Sequence, residues 1–290
     1  MAKSSADASL NTPTSMSGRR FDARRVYTAV LLVPAIYAII RYLPPWGFTL
    51  LIGVAGLMAL YELYRMTFGK RNNLYLVALG LMTTAAIIGR THLALPLADL
   101  VMAGTLGAVV AMIFLTTPLS DRFQDAAVTI FGMLYIGMTL STLVSTRALA
   151  SGDWLVLFLA VVTWAGDIGA YYVGSLWGRH RLAPSLSPKK SAEGLVGGMA
   201  FAIVAALLAQ RWALPLLSVL DALVLGFFLT GAGLAGDLCE SAIKRSVGVK
   251  DSGGILPGHG GMLDRLDSLL FTAPAFYYYV VLVRGLSPLH

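Results

Sequence analysis

In "GDLCESAIKRS", residues 236–246, Asp237, Glu240, Ser241 and Lys244 recur at i, i+3, i+4 and i+7, which places them on one face of a helix. Further on, "DSGGILPGHGGMLDRLDS" (251–268) ends in Asp264, Arg265 and Asp267, after a stretch whose proline and five glycines preclude a regular helix. Asp264 and Asp267 are three apart, so their carboxylates point to about one side. Upstream, Pro188 is followed by Lys189 and Lys190, then by Ser191 and Glu193, residues suited to capping a helix start. Lysines beside free helix amides favour an anion. Asp167, in "WAGDIGAYYVGSLWG", lies well inside an apolar run, where an ionisable group costs about 2.5–3.5 kcal/mol.

Carboxylates at Asp237 and Asp264 offer oxygen ligands to a hard cation, and Mg2+ takes one or two such ligands alongside waters and phosphate oxygens. Lys190, Lys244, Lys250 and Arg265 bring positive charge for phosphates, and glycine-rich backbone lets N–H groups come close to an anion. The chain has no P-loop, no "HExxH" and no "GxSxG". The parts suit metal-assisted phosphoryl or nucleotidyl transfer without a covalent nucleophile.

Each feature also has a plainer reading. Asp167 could bond across helices. The lysine pair could be ordinary loop charge, Glu240 and Lys244 a helix ion pair, and Asp264 with Asp267 mere partners of a helix dipole. The glycines at 194, 197 and 198 read as close helix packing. Glu62 and Asp99, in the first half, read as packing or interhelical contacts.

The elements that must position these residues are membrane spans. Of the 290 residues 57% are hydrophobic and only 13% charged, against about 25% in soluble domains. Apolar stretches of bilayer-spanning length recur, and they predict an all-α, polytopic membrane protein of about nine spans. These are approximately 26–42, 46–66, 74–90, 93–116, 126–147, 153–176, 194–210, 212–235 and 266–286. With the N-terminus inside, the cytoplasmic segments are the tail, 65–73, 117–125, 177–193 and 236–265. They hold 17 of the 22 Lys and Arg residues, the asymmetry expected of cytoplasmic loops. Residues 1–25 read as a disordered polar tail, and 26–290 as one membrane domain with its active site in the C-terminal half. The net charge of +7 sits mostly in short loops, which argues against nucleic acid as a partner. The single cysteine, Cys239, excludes a disulfide framework or a multi-cysteine metal site and reads as a small buried filler.

The run "SAIKRSVGVKDSGGILPGHGGMLDRLDS", residues 241–268, closely resembles the signature of the phosphatidate cytidylyltransferase (CDP-diglyceride synthase) family. It has the Ser-x-x-Lys-Arg start, the Lys-Asp pair, the Pro-x-His-Gly-Gly turn and the Asp-Arg-x-Asp end, without a gap. The resemblance extends to "SPKKSAEGLVGG", "GDIGAYYVG" and "YELYRM" in the family's order, departing slightly at Ala192, where the family often has an aromatic.

It implies condensation of CTP with phosphatidic acid to CDP-diacylglycerol and pyrophosphate. It also implies dependence on Mg2+, with a second cation, K+ among the candidates. Asp237 and Asp264 would hold the metal, with Asp167 and Asp267 next in line, as further ligands or as catalytic groups orienting water and lysines. Lys244, Arg265 and His259 would act at the reacting phosphates, with Lys189, Lys190, Lys250, Ser241, Gly260 and Gly261 binding substrate. The resemblance places the protein among membrane lipids, in the cell (inner) membrane if the source is bacterial, with its active site facing the cytoplasm; a homodimer is compatible with it.

Two competing classes remain at this level. A secondary transporter also combines broken helices, acids and glycines, but here the acids gather with lysines on one side and no inverted repeat stands out. A lipid kinase using CTP has a related membrane core; the complete His-Gly-Gly…Asp-Arg-x-Asp run favours the cytidylyltransferase. The Asp and Ala-Arg pattern of CDP-alcohol phosphotransferases is absent.

Overall fold

Two prolines set the first corner. Pro44 is extended and Pro45 opens a helix, in the first turn, where a missing N–H costs no intrahelical bond. The computed structural model describes residues 34–69, 71, 73–115, 117–253 and 260–287. The expected tail, His259 and His290 lie outside the described residues, as do residues 26–33 of the first expected span.

Helical turns at 34–42 (α1) precede α2 (Pro45–Phe68), α3 (Leu74–Leu93), α4 (Leu97–Phe114) and α5 (Leu119–Arg147). Then come α6 (Gly152–Trp177), a hairpin of β1 (Arg181–Ala183) and β2 (Ser187–Ser191), α7 (Ala192–Ala213), α8 (Val219–Ser246) and α9 (Leu263–Val283). Among the described residues, α2 to α9 are the eight helices long and apolar enough to cross a membrane. The protein is thus all-α and multi-pass, and large apolar side chains such as Ile113, Phe114, Phe227 and Phe228 are exposed on its outside, as lipid-facing residues are.

Three elements differ from the expected spans, each for a local reason. The run from Trp212 is apolar, yet α8 starts only at Val219, because Ser218 and Asp221 form a reciprocal capping box there. Nothing then breaks the helix until Gly248, so the segment expected as a cytoplasmic loop from 236 is helical to Ser246. α5 begins at Leu119, right after Pro118. Residues 181–191, expected as loop, form an antiparallel hairpin with an irregular register.

α9 binds the two halves of the bundle. Its Leu263 and Leu270 enter a core with Leu60, Leu63 and Tyr64 of α2, Ile88 of α3 and Ile136 and Leu140 of α5. Its other neighbour is α8, which packs with α6 and α7 in turn. Gly197 lies against Val173, where a Cβ would clash, so the glycines of α7 serve close packing on α6.

Candidate active site

The site is built where α8 and α9 come closest. A Cβ at Gly236 would overlap the carbonyl oxygen of Asp267, so the two backbones touch there. One step along α8, Asp237 and Glu240 meet Asp267 of α9: one ligand oxygen from each lies within 4.8 Å of the others. Lys190 of β2 forms an ion pair with Asp237. Lys244 lies 2.6 Å from Glu240 and 2.6 Å from Asp264, and so bridges the two acids. Asp167 of α6 lies within electrostatic reach of Lys190, Asp237 and Asp267.

Within this group, five carboxylates share two lysines. Glu240 is 1% exposed, and among the described residues its Oε1 has no hydrogen-bond partner. An orphaned acceptor this deep needs an explanation such as a bound ion or a catalytic role. Three converging carboxylate oxygens with a negative surplus are the donor set a hard divalent cation requires.

Asp264 stands beside the cluster. Its Oδ1 takes the Lys244 ammonium, and its Oδ2 accepts from the backbone amides of Gly261 (3.1 Å) and Ser252 (3.3 Å). Glycine is required at two consecutive positions just before α9. Gly260 has φ of +80°, and a Cβ at Gly261 would overlap Ser252 Oγ.

The expected residues divide into those the fold brings together and those it leaves outward. Asp167, Lys190, Asp237, Lys244, Asp264 and Asp267 form one connected group. Ser191 caps α7 by accepting from the amide of Gly194 at 3.1 Å. Lys189, next to Lys190 on an extended strand, points to the other side and is exposed, as are Lys250 and Arg265; Ser241 is half-buried. Glu193 does not face the lysines: its carboxylate accepts from the amides of Arg179 and His180 and pairs with the His180 ring. Cys239 is exposed rather than a buried filler, because its face of α8 is uncovered. Asp99 is exposed in the first turn of α4, where it complements the helix dipole instead of bridging helices.

The sequence model of the cytidylyltransferase family matches residues 23–283. The chain belongs to the cytidylyltransferase family. It is 36% identical over 270 residues to the phosphatidate cytidylyltransferase of Bacillus subtilis (strain 168), covering 89% of this chain and 97% of that protein. It is 36% identical over 258 residues to the phosphatidate cytidylyltransferase of Staphylococcus epidermidis (strain ATCC 35984), covering 84% of this chain and 96% of that one. The uncharacterized protein YnbB of Escherichia coli (strain K12) is 42% identical over 161 residues, 56% of this chain and 53% of its own length.

Two residues of the site exceed their sequence reading. Glu240 makes the helix ion pair expected of it but also joins the acid cluster; its place at i+3 from Asp237 was the available signal. Glu62, of "YELYRM", is 1% exposed and contacts the turn residues. Its Oε2 accepts from the amide of Leu263 at 2.9 Å and from Ser252 Oγ at 3.3 Å. Its charge in a mostly apolar span, and the place of "YELYRM" in the family resemblance, were the available signals.

Proposed function

We propose that this membrane enzyme condenses CTP with phosphatidic acid, releasing pyrophosphate and forming CDP-diacylglycerol for phospholipid synthesis. The observation that carries the reading is similarity to phosphatidate cytidylyltransferase along nearly the whole of both chains, in a fold whose acids and lysines gather at one end of the bundle. A phosphatidate oxygen attacks the α-phosphorus of CTP; the bond from that phosphorus to the β-phosphate bridging oxygen breaks, and pyrophosphate leaves with its electron pair. A phosphomonoester dianion is already nucleophilic, so the protein's task is to position the reactants and neutralise charge.

On this reading Lys190 and Lys244 exchange their carboxylate partners for phosphate oxygens, while Asp167 orients Lys190. Asp237, Glu240 and Asp267, with Asp264 beside them across Lys244, would hold Mg2+, which supplies charge neutralisation on the triphosphate. Five carboxylates against two lysines leave more negative charge than one divalent ion offsets, which favours a second cation such as K+. Gly260, with Lys250, Arg265 and His259, would meet the nucleotide at the cytoplasmic face, while the Gly261 amide holds Asp264 beside it. All the residues of the cluster come from a single chain, so a homodimer would assemble complete sites.

Purified protein in nanodiscs, given phosphatidate, Mg2+ and labelled CTP, is expected to form CDP-diacylglycerol and pyrophosphate in equal amounts. A phosphorylated lipid alcohol with release of CDP would make it a kinase instead; substrate movement without chemistry would make it a transporter.

A further inference from the structure

The carboxylate of Glu62 meets both ends of the connection between α8 and α9. Its Oε2 takes the Leu263 amide at 2.9 Å, at the start of α9, and the Ser252 hydroxyl at 3.3 Å, near the end of the outgoing segment. Ser252 is shared: its hydroxyl goes to Glu62 and its amide to Asp264 Oδ2. Gly253 and Gly261 both press on the Glu62 carboxylate. A Cβ at Gly253 would lie 2.7 Å from Oε1, and one at Gly261 would lie 2.6 Å from Oε2. Among the described residues, Oε1 itself has no hydrogen-bond partner.

We propose that Glu62 is a positioning residue for Asp264, acting through Ser252, Gly261 and Leu263. This rests on the reading of Asp264 as part of the phosphate- and metal-handling group. Two carboxylates, Glu62 from one side and Asp264 from the other, clamp the same two short backbone segments. Without Glu62 the Leu263 amide, one of the unsatisfied donors of a helix start, loses its acceptor. The Ser252 hydroxyl then turns freely, and the amides of Ser252 and Gly261 drift from Asp264 Oδ2. Asp264 is left to the ammonium of Lys244, which it shares with Glu240. A carboxylate with an unpaired oxygen is a costly way to fill a buried gap, so plain packing does not account for Glu62. Its effect is therefore on where Asp264 sits, and only secondarily on whether the bundle holds.

Glu62→Ala, Glu62→Gln and Asp264→Asn, purified in nanodiscs, test this with two readouts. In metal-free protein, hydrogen exchange of the amides of Ser252 and residues 261–264 should quicken about tenfold in Glu62→Ala while the distant helices stay as in wild type. In turnover, Glu62→Ala should lower kcat about 100-fold, the scale of an ångström-sized misplacement. It should also raise the Mg2+ concentration for half-activation, with the phosphatidate KM within about twofold, since that substrate enters from the lipid. Glu62→Gln, which keeps an acceptor for Leu263, should recover most of both. A purely structural Glu62 would lower the folded fraction alone; unchanged exchange at these amides, or wild-type constants per folded molecule, overturns the proposal. Should Glu62→Ala fail to fold, Gly253→Ala drives a methyl into Oε1 and must give the same signature with Glu62 present; its absence overturns the proposal equally. An Asp264→Asn protein as active as wild type removes Asp264 from the site, and this inference with it. Unchanged exchange in Glu62→Ala beside an inactive Asp264→Asn overturns the role of Glu62 alone and leaves the site reading intact.

Discussion

α8 carries a buried acid group at each end, and the two are built on opposite principles. Asp221, in its first turn, is 4% exposed and met by several donors: the amide of Ser218 (2.6 Å), its hydroxyl (2.8 Å), the Tyr279 hydroxyl (2.7 Å) and the Arg284 guanidinium (3.4 Å). Asp237, sixteen residues on and about 24 Å away along the helix, shares its surroundings with two more acids of the cluster. The first end has more donors than acids, and the second has more acids than cations. Burial does not separate them, because Glu240 is as deeply buried as Asp221. Charge surplus does: a carboxylate with every lone pair answered is a staple, whereas crowded carboxylates wait for something positive.

The comparison predicts a double dissociation. Asp267→Asn removes one of three clustered acids, and turnover should fall by about 10³-fold, or roughly 4 kcal/mol of transition-state stabilisation. The thermal midpoint in nanodiscs should hold or rise, because mutual repulsion is relieved. A loss of stability with activity kept would place Asp267 among the staples and break the contrast.

Asp221→Ala should do the reverse. It leaves the Arg284 guanidinium, the Tyr279 hydroxyl and the α8 cap without their acceptor, and breaking such a pair costs about 3 kcal/mol. Denaturant unfolding in detergent would show this, with kcat per folded molecule unchanged. Lys190→Met is smaller again, about 2 kcal/mol for one lost charged hydrogen bond, seen as roughly 30-fold in kcat/KM for CTP. An unaltered kcat/KM would leave Lys190 as a counter-ion of Asp237 only.

The working end was far more legible in the sequence than the staple. Asp237, Glu240 and Lys244 lie one helical turn apart, so their common face follows from local register alone, and Asp264 with Asp267 follows likewise. Glu62 could not be placed this way, since Ser252 lies 190 positions from it and contacts across such a separation leave no periodic trace. The apolar spans were visible from composition. The start of α8 was not, because hydropathy runs smoothly through Trp212 to Leu217 while one serine and one aspartate decide the boundary. The β1–β2 hairpin is too short, and too rich in charge, to show strand alternation. The π-turns at Met133–Met138 and Tyr279–Val283 use residues that an α-helix accepts equally well.

Tyr279 gives the contrast its most sensitive test. It stands in the second of those π-turns, and its hydroxyl donates to Asp221 Oδ1 at 2.7 Å. Tyr279→Phe keeps the ring and deletes one donor of a set that remains well supplied by Ser218 and Arg284. The expected cost is about 1 kcal/mol, a shift of a few degrees in thermal midpoint, with kcat and both KM values as in wild type. A loss near 3 kcal/mol would mean that Tyr279 supplies most of the acid's compensation, and that the staple is a single bond instead of a network. A change in kcat would mean that the two ends of α8 communicate, and the division between a satisfied end and a reactive one would no longer hold.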